Sequence, residues 1–279
     1  MTATEQRGAA GSRGTAERPR HRAAWTVTAV FAALFIVAPF GGSALADALS
    51  RTEEYESPGN HVRHPVSAVE VDAGSARITV TPGVDNEVAM GGRLTWSMKR
   101  PKVERQWDGD TLKVHTRCNG FVDTYLQNCS IELNLTVPVG VRLKVVGGSG
   151  EIRVRDLAGP VEIQGGSGRI KVRGLKGTVK ASVGSGELEA AQLASSEADL
   201  RAGSGTVDAD FTVPPHRVKA LAGSGAVSLT VPGPTRYRVE GGSGSGGRSI
   251  QQELTDDNSD RVLDVSSGSG SVTVGYPGW

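Results

Sequence analysis

Behind each of a series of Gly-Ser-Gly tripeptides the chain alternates apolar and polar residues with a period of two. The second and fourth residues after the tripeptide are apolar: Ile152 and Val154, Ile170 and Val172, Leu188 and Ala190, Val207 and Ala209, Val227 and Leu229, Val272 and Val274. The residues between them are mostly polar, so each stretch reads as a strand with one buried face. A Gly- or Pro-marked turn follows in most units, then a second strand. Its inward positions are Val161/Ile163, Val179/Ala181, Ala198/Leu200, Val218/Ala220 and Tyr237/Val239, and Leu157, Leu175 and Leu193 recur at the corner between the two strands.

The tripeptide serines stand at 149, 167, 185, 204, 224, 243 and 269, separated by 18, 18, 19, 20, 19 and 26 residues. A period this regular is a structural repeat. About four aliphatics per unit cannot offset the entropy of ordering one unit, so neighbours must share a continuous core, as in a solenoid. The predicted fold is all-β, a repetitive β-solenoid or β-helix-like stack of two-strand coils of about 18 to 20 residues. In such a stack each coil turns directly over the corner of the next, about 4.8 Å away. Glycine accepts φ > 0 there and brings no Cβ into the neighbouring backbone, and serine is small enough to hydrogen-bond local backbone. The structural turns are therefore assigned to Gly148-Ser149-Gly150, Gly166-Ser167-Gly168, Gly184-Ser185-Gly186, Gly203-Ser204-Gly205, Gly223-Ser224-Gly225 and Gly268-Ser269-Gly270. Gly74-Ser75 reads as a degenerate earlier copy. Stacking also sets Arg169 and Lys171 beside Glu187 and Glu189, and Glu151 beside Arg169, each opposite-charge pair contributing about 0.2 to 1 kcal/mol.

Residues 65–146 are less regular. VAMGGRLTWSM, KVERQW, DTLKVHTRC and CSIELNLTVPVG read as longer strands, with Asp108-Gly109 as a hairpin turn. This region is expected to be an irregular β cap over the first coil of the repeat region, 147–279. SVTVGYPGW is expected to close the far end, with Tyr276 and Trp279 over the last coil. Residues 47–64 read as a polar tether.

Upstream, AAWTVTAVFAALFIVAPF spans Ala23 to Phe40 without a charge, behind an arginine-rich leader, 1–22. A helix of that length rises roughly 27 Å, close to the ~30 Å hydrocarbon thickness. The segment 23–46 is thus a transmembrane helix with the N-terminus cytoplasmic and the C-terminal part extracellular, or a signal sequence cleaved near Ala46 after Ala44-Leu45-Ala46. Both readings export the remainder. With 38 glycines and 5% aromatic residues, the exported core must be thin and aliphatic. Beyond Ala46 the chain carries 26 basic against 28 acidic residues, which gives no footprint for nucleic acid. Cys118 and Cys129, the two cysteines of the chain, lie beyond the apolar segment, and in an oxidising compartment they are expected to form a disulfide.

Other motifs have plainer readings. Gly242, Gly244 and Gly247 satisfy G-x-G-x-x-G, with Asp264 downstream, but the same tripeptide elsewhere precedes strands, whereas a dinucleotide site needs a helix. Asp256, Asn258 and Asp260 begin like a calcium loop that continues with Arg261 and Ser267 where Gly and Glu belong. His61 and His64 fall in the tether without a third ligand. Glu162, Glu187, Glu189 and Asp208 can be drawn into one groove as a glycosidase-like set, though each has an ordinary place on a rung surface. No cofactor, metal site or catalytic residue is assigned, and the stretched coil 244–261 is marked as a candidate recognition surface.

The charged leader, the apolar segment, the cysteine pair before VPVGV and the serial Gly-Ser-Gly units resemble the bacterial putative-adhesin β-strand-repeat family (domain of unknown function 4097). That family is akin to toastrack-type domains associated with envelope-stress proteins, and the resemblance covers most of 66–274. The family commonly has aspartate after the tripeptide, where this chain has Glu151, Arg169, Glu187, Thr206, Ala226 and Ser271. The resemblance implies no catalytic residues. It implies a non-enzymatic adhesin or surface scaffold that binds a surface ligand, a cell-wall polymer or a protein, with self-association and membrane contact through 23–46 if that segment is retained. An envelope-stress sensing module is the alternative, and an exported polysaccharide-active β-helix enzyme is the third reading.

Overall fold

The computed structural model describes residues 50–56, 65–84, 87–118 and 129–279. The leader, the apolar segment 23–46 and the histidines of HVRHP lie outside them. Among the described residues no helix is long and apolar enough to cross a membrane.

Period-two segments become strands throughout. The first group is β1 (Arg51–Glu56), β2 (Ala68–Gly74), β3 (Arg77–Gly83), β4 (Ala89–Trp96), β5 (Lys102–Asp108), β6 (Thr111–Arg117), β7 (Cys129–Pro138), β8 (Arg142–Gly147) and β9 (Glu151–Arg155). Three long strands follow: β10 (Val161–Arg173), β11 (Val179–Leu193) and β12 (Glu197–Phe211). The last are β13 (Arg217–Ser224), β14 (Val227–Thr230), β15 (Arg238–Glu240), β16 (Arg248–Ile250), β17 (Val262–Ser269) and β18 (Val272–Gly275). All belong to one open 18-stranded sheet that doubles over along the glycine corners into two faces.

Hydrogen-bonded neighbours on the first face run β5, β6, β2, β8, β10, β11, β12, β13, β17, β15. On the second they run β1, β4, β7, β3, β9, β10, β11, β12, β14, β18, β16. Strands β10 to β12 pass through the corner and contribute to both faces. Pairing is parallel except at one end, where β5 joins β6 and β1–β4–β7 join antiparallel.

Between the faces lies a continuous aliphatic core. Apart from half-buried Val239, every inward position named from the alternation is buried, and Leu157, Leu175 and Leu193 close its edge without exposure. Each coil buries few side chains and gains the rest of its apolar contact from the coils on either side.

Several expectations are corrected. The irregular region is mostly stack, because β2, β3, β6, β7 and β8 are rungs in parallel register with the repeats. The expected tether contains strand β1, paired with β4. Coils also do not stack in chain order at either end. The rung β6/β7 lies outside β2/β3, and the coil of β15 and β16 lies outside β17/β18. SVTVGYPGW therefore does not close the far end, since β18 is paired on both sides. The terminal rung is the coil 237–254, plugged by the fully buried Tyr237. Tyr276 instead braces that coil from the side, its hydroxyl donating to the Thr235 carbonyl at 2.9 Å.

Candidate functional site

The tripeptides are corners inside continuous strands: in β10 the run Gly165–Gly168 is still paired, Ser167 with Ser185 and Gly168 with Gly186. Burial nevertheless switches from odd positions (Val161, Ile163) to even ones (Ile170, Val172) across it. A Cβ on Gly165 would stand 3.2 Å from the tip of Ile170, a contact that a straight strand five residues long forbids. The third glycines form a column in which a Cβ on Gly168 would meet the Gly150 carbonyl at 2.2 Å and one on Gly205 the Gly186 carbonyl at 1.8 Å. The same column runs through Gly225 and Gly270 to Gly246. In the terminal coil the corner is thus Gly244-Ser245-Gly246, not the copy centred on Ser243 that the serine spacing selects. The first glycines, Gly148, Gly166, Gly184, Gly203, Gly223 and Gly268, make a parallel column of close approaches. Ser149, Ser167, Ser185, Ser204, Ser224 and Ser269 are exposed along the rim.

Cys118 and Cys129 are joined by a disulfide with Cα atoms 6.1 Å apart, tying the end of β6 to the start of β7. It staples the two faces of the outermost parallel rung. A loop this short restricts the unfolded chain by about 2 to 3 kcal/mol.

Outward side chains line up in rows across the strands. The pairs expected from the repeat form: Arg169–Glu187 and Lys171–Glu189, both at 2.6 Å. The row through Arg169 and Glu187 extends well beyond the repeats, through Glu54, Arg93, Glu132, Arg77, Glu151, Arg169 and Glu187, one residue per strand and opposite in sign at each step. The first face carries a second row that the sequence reading missed: Lys113, Glu70, Lys144, Glu162, Lys180, Asp199, Lys219 and Asp264. Its signal was present in the alternating sign of Lys144, Glu162, Lys180, Asp199 and Lys219 at the repeat spacing.

Glu162 belongs to this first-face row, whereas Glu187, Glu189 and Asp208 lie on the second face, so the four acids do not share a groove. Partial burial and then the nearby Asp210, Glu189 and Glu187 carboxylates push the Asp208 carboxyl above its ordinary value. The glycine-rich run 241–247 leads into strand β16, without the helix a dinucleotide site requires. In the DDNSD loop, Asp256 is occupied as a turn-former, accepting from the Asn258 amide at 3.0 Å. Among the described residues no group of three His, Cys, Asp or Glu side chains is placed to hold a metal ion.

A hollow of about 500 Å³ opens on the second face where the antiparallel end joins the stack. Its rim carries Glu54, Glu56, Arg77, Arg93, Glu132 and Arg153, and Gly91 and Gly92 form its floor. Arg77 is bonded to Glu132, and Arg153 donates to Glu151 at 2.6 Å. A smaller hollow of about 380 Å³ lies on the first face around Asp72, Lys113 and His115, where the His115 imidazole stands 2.9 Å from the Asp72 carboxylate.

Doubled over, paired residue for residue from coil to coil and carrying an out-of-order coil toward each end, the strands define an all-β open stack with two ordered polar faces. The chain belongs to the Toastrack DUF4097 family, whose model matches residues 123–275. A comparison with curated proteins finds no match. Among solved structures, a putative cell adhesion protein of Clostridium sporogenes is 12% identical, with a TM-score of 0.37 over 81% of this chain and 99% of its own. A putative adhesin of Bacteroides fragilis is 13% identical with a TM-score of 0.39, covering 81% of this chain and 96% of its own. A putative lipid binding protein of Parabacteroides distasonis is 14% identical with a TM-score of 0.41 and the same coverage, 81% and 96%. The family assignment rests on the match over 123–275.

Proposed function

We propose that the chain is a non-enzymatic, exported surface protein that uses the faces of its stack to hold a ligand of the cell envelope. The observation that carries this reading is the pair of cross-strand rows. Each fixes polar side chains at the rung spacing along the sheet, and acids and bases alternate along each, so the surface offers many directional contacts with little net field. Extended surfaces of this kind suit repetitive partners, because one site geometry recurs along the stack. The disulfide supports export, since such bonds persist in oxidising compartments. On this reading the glycine corners are structural turns, and residues 1–22 and 23–46 serve as leader and membrane segment.

Sedimentation of the full-length chain with isolated cell-wall material tests the reading. Retention that survives 1 M salt is expected, because such salt screens beyond about 3 Å and leaves short polar contacts in place. Failure to sediment with wall material defeats the proposal. Loss of the chain that changes envelope-stress transcription while attachment is intact favours sensing instead.

A further inference from the structure

The geometry points to the hollow over Gly91 on the second face as a binding site for a neutral, hydroxyl-rich saccharide. The inference rests on the surface-binding reading and names the ligand class and the place. Gly91 occupies the interior of β4, where glycine weakens a strand and where its presence often marks a close approach by another molecule. The backbone does not demand glycine there as it does next door. Gly92 has φ +159° and its Cβ would meet the Glu132 carbonyl at 1.9 Å, whereas a Cβ on Gly91 would approach only the Tyr55 carbonyl, at 3.3 Å. Position 91 faces Glu56 on one side and Asn134 on the other, so the missing side chain leaves a gap two strand spacings wide, roughly 10 Å.

Charge decides what fits the gap. Three guanidinium groups, of Arg77, Arg93 and Arg153, and three carboxylates, of Glu54, Glu56 and Glu132, line it, and Arg77 and Arg153 are already engaged by Glu132 and Glu151. With its charges balanced in number and two of its guanidinium groups already bonded to carboxylates, the lining has no net charge to draw in a free anion or cation. A neutral polyol needs no such charge and uses both signs, since its hydroxyls accept from Arg93 and Asn134 and donate to Glu56. Arg93 is available for this, because no ion pair or side-chain hydrogen bond engages it among the described residues. The volume, about 500 Å³, lies within the range of small-molecule sites, while its polar walls disfavour apolar ligands.

Calorimetric titration of the full-length chain with chitotetraose, maltotetraose and mannotetraose, alongside the anionic tetragalacturonate, tests the assignment. At least one neutral tetrasaccharide should bind, tetragalacturonate should not compete, and Gly91→Thr should weaken binding about tenfold or more. Arg93→Gln and Asn134→Ala leave the backbone of β4 untouched and should each weaken it several-fold, which keeps the test decisive if Gly91→Thr unfolds. No binding by any neutral sugar, preference for the anionic one, or binding unchanged in Arg93→Gln and Asn134→Ala overturns the site. Wild-type retention on wall material that persists in these variants would overturn this site alone and leave the surface-binding reading standing.

Discussion

Gly186 sits at φ +151° with the carbonyl of Gly168 only 1.9 Å from where a Cβ would be, so its hydrogen is a requirement of coil spacing. Gly186→Ala should lower unfolding stability by about 2 kcal/mol or more, since neighbouring backbone cannot yield without breaking ladder bonds. Gly140, which has open space around it and no unusual φ, is the control. Gly140→Ala should stay within about 0.5 kcal/mol in the same chemical denaturation experiment. Tyr237 presents the opposite case. Its ring is fully buried and plugs the terminal coil, but its hydroxyl has no hydrogen-bond partner among the described residues. Burial pushes that hydroxyl up to about 12 from an ordinary 10.0. The unfolded chain therefore releases this proton first as pH rises, and stability is lost between pH 10 and 12 while being unaffected below. Tyr237→Phe should hold or raise stability at neutral pH, by up to about 1 kcal/mol, and should remove that part of the alkaline loss. Denaturant midpoints at pH 7 and pH 11 read both effects.

At the scale of elements, the charge rows bear on which rung lies next to which. Apolar positions are nearly interchangeable from coil to coil, so burial alone distinguishes rung orders poorly. Charges do better. With β2 between β6 and β8 the first-face row reads Lys113, Glu70, Lys144, and the second reads Glu132, Arg77, Glu151. Stacking in chain order would set Lys113 against Lys144 and Glu132 against Glu151. The observed order thus avoids two like-charge contacts that the sequential order would create, a penalty against the competing arrangement as well as a gain in the native one. Glu70→Lys places three lysines in succession and should cost about 0.5 to 2 kcal/mol at low salt, shrinking markedly in 1 M salt. A cost that does not respond to salt would mean that side-chain packing, and not charge, is what matters at Glu70. The sequence displayed half of this device. Arg169, Lys171, Glu187 and Glu189 follow tripeptides at one spacing and were legible, whereas Glu70 and Lys113 belong to segments whose partners lie across intervening strands.

The molecule as a whole departs from a simple pile at its two ends. Strand β15 pairs with β17 and β16 with β18, so the last coil in the chain is the support on which the terminal coil rests. A chain ending at Asp260 should therefore lose two coils, not one. Hydrogen exchange is expected to show Val239 and Ser249 unprotected in that truncation while Leu188 and Val207 remain slow. Protection persisting at Val239 would show that the terminal coil stands without β17. Period-two alternation, the inward residues and the glycine corners were all fixed by local chemistry: a strand with one buried face needs apolar residues at every second place, and a corner against a carbonyl needs glycine. Tertiary structure alone decided the order of coils, the choice of Gly244-Ser245-Gly246 over the overlapping copy, the separation of Glu162 from Glu187, and the hollow over Gly91. Those depend on which near-identical rung meets which, a comparison among non-local pairings whose differences lie in summed charge and packing terms that no single stretch of chain contains.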